Sequence, residues 1–264
     1  MNGLLSLLYH DVYAESPAES GFEGGAADRY KLPLADFEGQ LQRLDDVLDA
    51  PPVLVTGPGD LAARSVSAAF TVDDGGLSYH SLVAQRLEAR GWRGHCFVTT
   101  GCIGRRGFLH KHHLRELQAR GHLIGTHSVT HPGRFAACAP AEMLREWQDS
   151  RSALQDILGV EVTTASVPGG YFSAQVARAA AAAGLTALFT SEPEIRVREI
   201  DGCAVLGRFA IRRGSSPDYP ARLIVHSPGA RYRAWLAWNG KKALKALLGP
   251  GYAQLAGRFV HTDR

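Results

Sequence analysis

The sequence has few cysteines, and none of its four lies in the CxxC spacing typical of redox or zinc sites. They give no disulfide framework of the kind that small secreted domains use, and they are compatible with a reducing compartment. The N-terminal stretch MNGLLSLLYHDV lacks the basic start and the cleavage site of a signal peptide, and its apolar run is too short to span a bilayer. These absences predict a cytoplasmic chain.

The sequence also lacks a strong excess of either charge. Its net charge is +3 over 264 residues, which is too small to indicate a nucleic-acid partner, and we expect none. The charge is uneven, because residues 221–264 carry +7 and residues 1–220 carry −4. With 45% hydrophobic residues, the chain can bury a large core. We predict one domain over residues 1–220, followed by a basic helical extension over residues 221–264 that packs on it.

Apolar, strand-like runs alternate with helical patterns through most of the chain. The first run, Leu4 to Tyr9, precedes a polar segment from Asp11 to Leu32 that predicts a long loop. Later runs include "GHCFVTT", "HLIGTHS" and "TALFTSE", with amphipathic helical stretches between them. Repeated βα units predict an α/β fold with parallel strands and outer helices, as a barrel or a doubly wound sheet. In either architecture, chemistry collects at the C-terminal ends of the strands.

Candidate metal ligands follow two of these predicted strands. Asp73 and Asp74 end the stretch "AAFTVDD", and "THSVTH" places His127 and His131 four residues apart, a spacing that presents both imidazoles on one side of a helical turn. Two imidazoles and a carboxylate can bind a catalytic divalent ion and leave a position for water. A cation would also offset the repulsion between the neighbouring carboxylates. Taken singly, the aspartates could instead cap a helix, and the histidines could be a hydrogen-bonded surface pair.

The motifs "FTVDDG", "THSVTH" and "SVPGGY", in this order, resemble the first three motifs of the polysaccharide deacetylases, the NodB-homology or carbohydrate esterase family 4 group. The resemblance extends from the N-terminus to about Arg213. It implies a distorted (β/α) barrel with fewer than eight regular units. It also implies that Asp73 is the general base and that the metal ligands are Asp74, His127 and His131.

One residue departs from the family pattern. The third motif normally begins with an arginine that holds the base aspartate, and Ser166 occupies that position here. Arg208, on a predicted later strand, is our candidate for its replacement, although it could equally be an arginine at the edge of the core. The next residues, Gly169, Gly170 and Tyr171, are candidates for binding the substrate, with a glycine N–H donating to the developing oxyanion.

The general acid has two candidates. The family normally uses a histidine in a late L-x-H motif, and the late match here is His226 in the basic extension. The chain also has Leu8-Tyr9-His10 at the end of its first predicted strand, which resembles a circularly permuted branch of the family. We assign the acid role to His10 and a structural role to His226. Asp11 could orient the His10 imidazole.

The resemblance implies a divalent-metal-dependent deacetylase that removes the N-acetyl group from an amino sugar in a polysaccharide, glycan intermediate or glycoconjugate, and releases acetate. The expected cofactor is one divalent ion, zinc first, with cobalt, nickel, manganese or iron as alternatives. Two other readings remain, a catalytically silent glycan-binding module and a related amide or O-acetyl ester hydrolase. The aromatic and basic residues of the extension could contact an anionic membrane or a lipid-linked glycan, or simply pack on the barrel.

Overall fold

A computed structural model describes residues 3–61, 66–170, 172–225 and 228–248, with the backbone alone at residues 61, 66, 228 and 241–248. The strands of this described part are β1 (Gly3–Tyr9), β2 (Val12–Tyr13), β3 (Leu32–Pro33), β4 (Val66–Val72), β5 (His95–Val98), β6 (Leu123–Thr126), β7 (Thr164–Ser166), β8 (Ala187–Phe189), β9 (Arg198–Ile200), β10 (Cys203–Leu206) and β11 (Arg208–Ala210). The long loop predicted after β1 contains β2, β3, a 3-10 helical turn (Pro17–Glu19) and one short α-helix (Gly25–Asp28).

The helices follow most strands, as the βα pattern predicts. They are α1 (Gly25–Asp28), α2 (Leu34–Asp45), α3 (Ala84–Glu88), α4 (Lys111–Ala119), α5 (Pro140–Leu158), α6 (Ala174–Ala182), α7 (Tyr219–Ile224) and α8 (Pro228–Leu248). A π-helical turn over Tyr79–Val83 leads into α3. Helix α5 shows typical end signals, with proline in its first turn and Gly159 at φ 72° after its last residue. No helix within the described ranges is long and apolar enough to cross a membrane.

The main sheet has nine strands in the order β11-β1-β4-β5-β6-β7-β8-β10-β9. All neighbours are parallel except β9, which is antiparallel to β10. Strands β10 and β11 are separated only by Gly207, yet β10 pairs with β8 and β11 pairs with β1. One extended segment therefore links the two ends of the sheet, which curves back toward its first strand. This is the α/β architecture expected of the distorted barrel.

Apolar faces of the helices cover the sheet. Phe37, Leu41 and Leu44 of α2 are fully buried and pack in one cluster with residues of β1 and β4. The alanine-rich helix α6 buries Val176, Ala177 and Ala180 in a second cluster. The small side chains of α6 let this helix lie close to the sheet. The buried strands are near-continuous apolar runs, as in other parallel sheets that helices cover on both faces. The polar residues at the strand ends remain available for a functional site.

Helices α7 and α8 belong to the basic C-terminal segment. Leu223 of α7 is buried in the core cluster beneath α2, and Ala230 and Ala234 of α8 pack against the same cluster. The Arg231 side chain donates to the carbonyls of Leu223 (2.7 Å) and Ile224 (2.9 Å), the last residues of α7. These contacts join the first half of α8 to the rest of the protein.

Candidate metal centre

The two aspartates lie in a strained turn at the end of β4. The N–H of Asp73 donates to the carbonyl of Tyr9 at 3.1 Å, which continues the pairing of β4 with β1. Asp74 then adopts a left-handed conformation at φ 75°, followed by Gly75 at φ 77°. A Cβ on Gly75 would lie 3.1 Å from a methyl of Val98, so glycine suits this position on two counts. A non-glycine residue at positive φ is unfavourable, and such strain is concentrated at functional sites.

The predicted ligands Asp74, His127 and His131 lie together. Asp74 Oδ1 is 3.4 Å from His127 Nε2 and 3.5 Å from His131 Nε2, and one ligand atom from each residue lies within 4.8 Å of the other two. Asp74 Oδ1 is buried and has no hydrogen-bond partner among the described residues. An unpartnered buried carboxylate oxygen facing two imidazole nitrogens is what a cation site requires.

A backbone carbonyl sets the orientation of the His127 ring, and a serine hydroxyl holds the backbone at His131. His127 Nδ1 donates to the carbonyl of Ser166 at 2.8 Å, which leaves Nε2 free to bind a metal. His131 has a left-handed backbone at φ 55°, and its N–H donates to the hydroxyl of Ser128 at 3.1 Å. The Phe22 ring lies 5.1 Å from the His131 ring. The turn after β6 therefore stores backbone strain at a second predicted ligand.

Arg208 forms a two-pronged ion pair with Asp73. Its Nη1 and Nη2 donate to the two carboxylate oxygens at 2.7 and 2.8 Å. The Ser166 hydroxyl donates to Asp73 Oδ2 at 3.0 Å and accepts from Arg208 Nη2 at 2.7 Å. Arg208 thus makes the contact expected of a residue that replaces the motif arginine, while Ser166 makes a hydrogen bond to both partners.

Arg208 is fully buried, yet each of its N–H groups has an acceptor. In addition to the three bonds above, Nε donates to the carbonyl of Thr190 at 2.9 Å and Nη1 to the hydroxyl of Thr71 at 3.2 Å. A guanidinium has five donors, and here five bonds use them. Such complete pairing makes burial of the charge tolerable and holds Asp73 in one orientation.

The electrostatics of the site keep both carboxylates ionised. Burial by itself raises the pKa of Asp73, but the charges of Arg208 and His127 bring that pKa below its usual value. Burial also opposes ionisation of Asp74, and His127 and His131 hold its pKa far below the usual range. Burial and the nearby His127 lower the pKa of His131. A neutral His131 and an ionised Asp74 are the forms that bind a divalent cation. Asp73 and Asp74, by contrast, overcome the effect of burial and raise the pKa of His127, so a cation must displace a proton there.

His10 lies at the end of β1 and lines the same pocket as Asp73 and Asp74. Its ring is 4.6 Å from that of Tyr30, and its Nδ1 is buried with no hydrogen-bond partner among the described residues. The position therefore suits the acid predicted from "LLYH". His226, the alternative, lies outside the described residues.

Asp11 does not make the contact expected of an acid-orienting residue. Its Oδ1 accepts from the hydroxyls of Ser20 and Ser78 instead, and no bond to His10 is present in the described part of the chain. A Cβ on Gly76 would collide with the Asp11 carboxylate and the Ser20 hydroxyl. Asp11 therefore fastens the long loop to the aspartate turn. The sequence placed it beside His10, but neighbouring side chains at a strand end point in opposite directions.

The glycines predicted to bind substrate also lie at the pocket. Gly169 and Gly170 follow β7, both have positive φ (64° and 70°), and both line the cavity. The N–H of Gly170 donates to the carbonyl of Val167 at 3.3 Å. A Cβ on Gly169 would lie 2.7 Å from the carbonyl oxygen of Gly133, so a larger residue would not fit. Tyr171 lies outside the described residues.

The pocket, of about 300 Å³, is also lined by residues that the motifs did not single out. Tyr30 and Phe22 come from the long loop, and Arg212 lies with its guanidinium 5.4 Å from the Tyr30 ring centre. Trp238 comes from helix α8. Nothing in the periodicity of the loop identifies these positions. Only the fold brings them together.

Comparison with known proteins relates the chain to deacetylases. Residues 61–188 match the family model described as polysaccharide deacetylase. A gellan lyase from a Bacillus species is 32% identical over 147 residues, which are 55% of this chain and 5% of the lyase. The putative polysaccharide deacetylase YheN of Bacillus subtilis is 35% identical over 60 residues, which are 23% of this chain and 21% of YheN. The chain therefore covers only a small part of either curated relative.

Solved structures show a similar fold over most of the chain. The deacetylase PplD of Streptococcus pyogenes, solved with acetate, is 22% identical with a TM-score of 0.67, and the match covers 82% of this chain and 95% of PplD. IcaB from Ammonifex degensii is 19% identical with a TM-score of 0.65, over 89% of this chain and 98% of IcaB. A polysaccharide deacetylase from Bacillus cereus is 18% identical with a TM-score of 0.70, and the match covers 84% of this chain and 69% of that protein. At these identities, the likeness supports the fold.

Proposed function

The chain belongs to the polysaccharide deacetylase family over its matched region, and from this premise we propose that it is a divalent-metal-dependent de-N-acetylase. Its substrate would be an N-acetylated amino sugar in a polysaccharide, a glycan intermediate or a glycoconjugate. The observation that carries the proposal is the pair of neighbouring aspartates with separate partners, Asp73 on Arg208 and Asp74 facing two histidines. One carboxylate is thereby available for a proton and the other for a cation.

The donor set fits one divalent ion held by Asp74, His127 and His131. The fit rests on the unpartnered Asp74 Oδ1 and on the His127 Nδ1–Ser166 bond, which turns Nε2 toward the aspartate. Three protein ligands of this type are typical of catalytic zinc, and cobalt, nickel, manganese and iron accept the same ligands. When bound, the ion would polarise the acetyl carbonyl and make water more acidic.

Asp73 acts as the general base in this proposal. It accepts a proton from the water that attacks the acetyl carbon, while Arg208 and Ser166 hold its carboxylate in place. The oxyanion that forms needs a hydrogen-bond donor nearby. Because the N–H of Gly170 already donates to Val167, we assign this role to the N–H of Gly169. Neither glycine has a side chain that would keep the substrate away from the backbone.

His10 supplies the proton for the leaving group. The C–N bond breaks as His10 protonates the amine nitrogen, and the products are acetate and the free amino sugar. His10 and Asp73 line the same cavity, so the acid and the base can reach one acetamide. Tyr30 packs against the imidazole and restricts its orientation, a task that Asp11 does not perform.

A metal and acetate assay tests the proposal. The purified protein is loaded with zinc, its metal content is measured, and acetate release is followed on a panel of N-acetylated sugars. We expect about one zinc per chain and acetate from at least one sugar. The control Asp73→Asn keeps the shape of the side chain and should retain zinc while activity falls roughly 10²-fold or more. Equal acetate release by both proteins would contradict the role of Asp73.

Two other functions have specific tests in the same assay. A silent glycan-binding module would be favoured if the base aspartate lacked its arginine, whereas the Arg208–Asp73 ion pair supports a catalytic role for Asp73. Sugar binding with zinc bound and no acetate released would still favour the module. An O-acetyl esterase would release acetate from O-acetylated sugars but leave N-acetyl groups intact.

A further inference from the structure

Helix α8 lies C-terminal to the family-matched residues, yet it supplies one wall of the pocket. Its residue Trp238 lines the same cavity as His10, Asp73 and Asp74. The edge of the indole ring is 3.4 Å from the position that a Cβ on Gly170 would take. The indole therefore lies within van der Waals range of Gly170, next to the predicted oxyanion site.

The approach of Trp238 follows from how α8 is held. Ala230 and Ala234, which pack on the core, precede Trp238 at intervals of four residues, so all three lie on one face of the helix. The bonds from Arg231 to the last carbonyls of α7 fasten the start of that helix. Trp235, three residues before Trp238, lies beside that face, is 45% exposed and stacks on Tyr232. The two tryptophans of this helix thus have different surroundings.

The indole nitrogen of Trp238 lacks an acceptor. Its Nε1 is buried and has no hydrogen-bond partner among the described residues. Buried tryptophan N–H groups normally donate a hydrogen bond, and a buried N–H without an acceptor is unfavourable. At the wall of a ligand cavity, an unpartnered donor beside a broad apolar ring suits a molecule that has both apolar C–H faces and oxygen acceptors. A pyranose ring has both.

We propose that Trp238 is a sugar-binding residue of this site, with its ring packed against the substrate and Nε1–H donating to a sugar oxygen. The inference rests on the proposed function for the identity of the ligand. It adds a specificity-determining residue from outside residues 61–188. Trp238 takes no part in proton transfer, so its removal should weaken binding rather than slow the chemical step.

The test compares three variants loaded with zinc: Trp238→Phe, which keeps an aromatic ring but removes the N–H, Trp238→Ala, and the matched control Trp235→Ala. Acetate release is measured on the N-acetylglucosamine oligomer that the wild type hydrolyses fastest. We expect KM to rise roughly fivefold in W238F and roughly tenfold or more in W238A, with kcat changed by less than about threefold. W235A should match the wild type, and zinc content should be equal in all four proteins.

A binding measurement separates this inference from the proposed function. Binding of an N-acetylglucosamine tetramer to the zinc-loaded proteins is measured by isothermal titration calorimetry. If the wild type releases no acetate but binds the tetramer, and W238F binds it more weakly while W235A keeps the wild-type affinity, then Trp238 binds sugar and the proposed hydrolase is wrong. If W238F and W238A behave like W235A in both measurements, the inference is wrong. If W238A does not fold, the comparison of W238F with W235A and the wild type decides the question.

Discussion

Asp73 and Asp74 are adjacent in the chain but have opposite tasks in the proposed reaction. Asp73 is paired with a buried arginine, whereas Asp74 faces two imidazoles with one oxygen unpartnered. The left-handed backbone at Asp74 turns its side chain away from the direction that an extended strand would give it. The sequence predicted the division of labour from the motif. The sequence could not predict the strained turn, because the motif does not specify the backbone φ of Asp74.

The Arg208–Asp73 pair gives a prediction about orientation. In Arg208→Lys, a single ammonium replaces the planar fork, so at most three of five hydrogen bonds survive. We expect the free energy of unfolding to fall by about 2 kcal/mol, kcat to fall roughly tenfold or more, and zinc content to stay unchanged. The acid limb of the kcat/KM profile should also move to higher pH, because a less well-paired carboxylate has a higher pKa.

The matched control for that variant is Ser166→Ala. It removes one hydrogen bond from each partner but leaves the ion pair intact, so its effect should be near 1 kcal/mol, with a smaller shift of the pH profile. A pH profile in Arg208→Lys that overlies the wild-type profile would show that Arg208 does not position the base.

His10 gives a prediction about proton donation. In His10→Gln, the acid is lost and the metal ligands remain, so kcat on an N-acetyl sugar should fall about 10²-fold or more while zinc content is unchanged. Hydrolysis of p-nitrophenyl acetate, whose leaving group needs no proton, should be much less affected. His226→Gln is the control and should keep wild-type activity. The reverse pattern, with loss in His226→Gln alone, would reassign the acid.

At the scale of elements, strand ends were the most predictable part of the site. The apolar runs that end at Val72 and Thr126 form β4 and β6. The alternation of strands and helices in the sequence predicted that the C-terminal ends of these strands lie at the same edge of the sheet. What could not be predicted was side-chain direction just beyond a strand. Asp11 was expected beside His10, but it binds Ser20 and Ser78 because the loop folds over the aspartate turn.

Strand β5 carries a buried histidine that links stability to pH. His95 donates from Nδ1 to the carbonyl of Phe70 and accepts at Nε2 from the N–H of Val55, which fixes it as the neutral tautomer. Burial lowers its pKa from 6.5 to about 4. Between these values, the unfolded chain binds a proton that the folded chain does not. This site's contribution to stability is therefore complete above pH 6.5 and declines as the pH falls toward 4.

The corresponding variant is His95→Phe. The wild type should lose about 2 kcal/mol more unfolding free energy than the variant when the pH falls from 7.5 to 5.0, since one pKa unit corresponds to about 1.4 kcal/mol. Guanidinium unfolding at the two pH values measures this difference. The variant should be less stable than the wild type at pH 7.5, because the Val55 N–H loses its acceptor. Equal losses in both proteins would show that His95 is not the titrating group.

At the scale of the whole molecule, the βα region and its extension meet at one cavity. Helical character was predicted for residues 221–264, and α7 and α8 confirm it for the part that the structure describes. Two alternatives were predicted for the extension, packing on the barrel and contact with a membrane. Ala230 and Ala234 pack against the core, whereas Tyr232, Trp235 and Leu236 are exposed. Membrane contact stays a prediction. The lysine side chains on which it depends lie outside the described residues.

Helix α8 also shows why pocket walls are hard to predict. Trp238 is distant in sequence from the motifs, and only the packing of its helix brings it to Gly170. Its amphipathic pattern predicted a helix packed on the barrel, but periodicity does not say which surface the helix covers. The same holds for Tyr30 and Arg212, which lie on either side of residues 61–188 in the sequence and meet in the cavity.

The proposed reaction is tested most directly by the ratio of new primary amine to acetate formed from an N-acetylated sugar, with metal-stripped protein before and after addition of one equivalent of zinc. We expect no products without metal and, after zinc, one amine for every acetate. No acetate after zinc addition, or equal amounts of amine and acetate without metal, would contradict the metal centre of Asp74, His127 and His131.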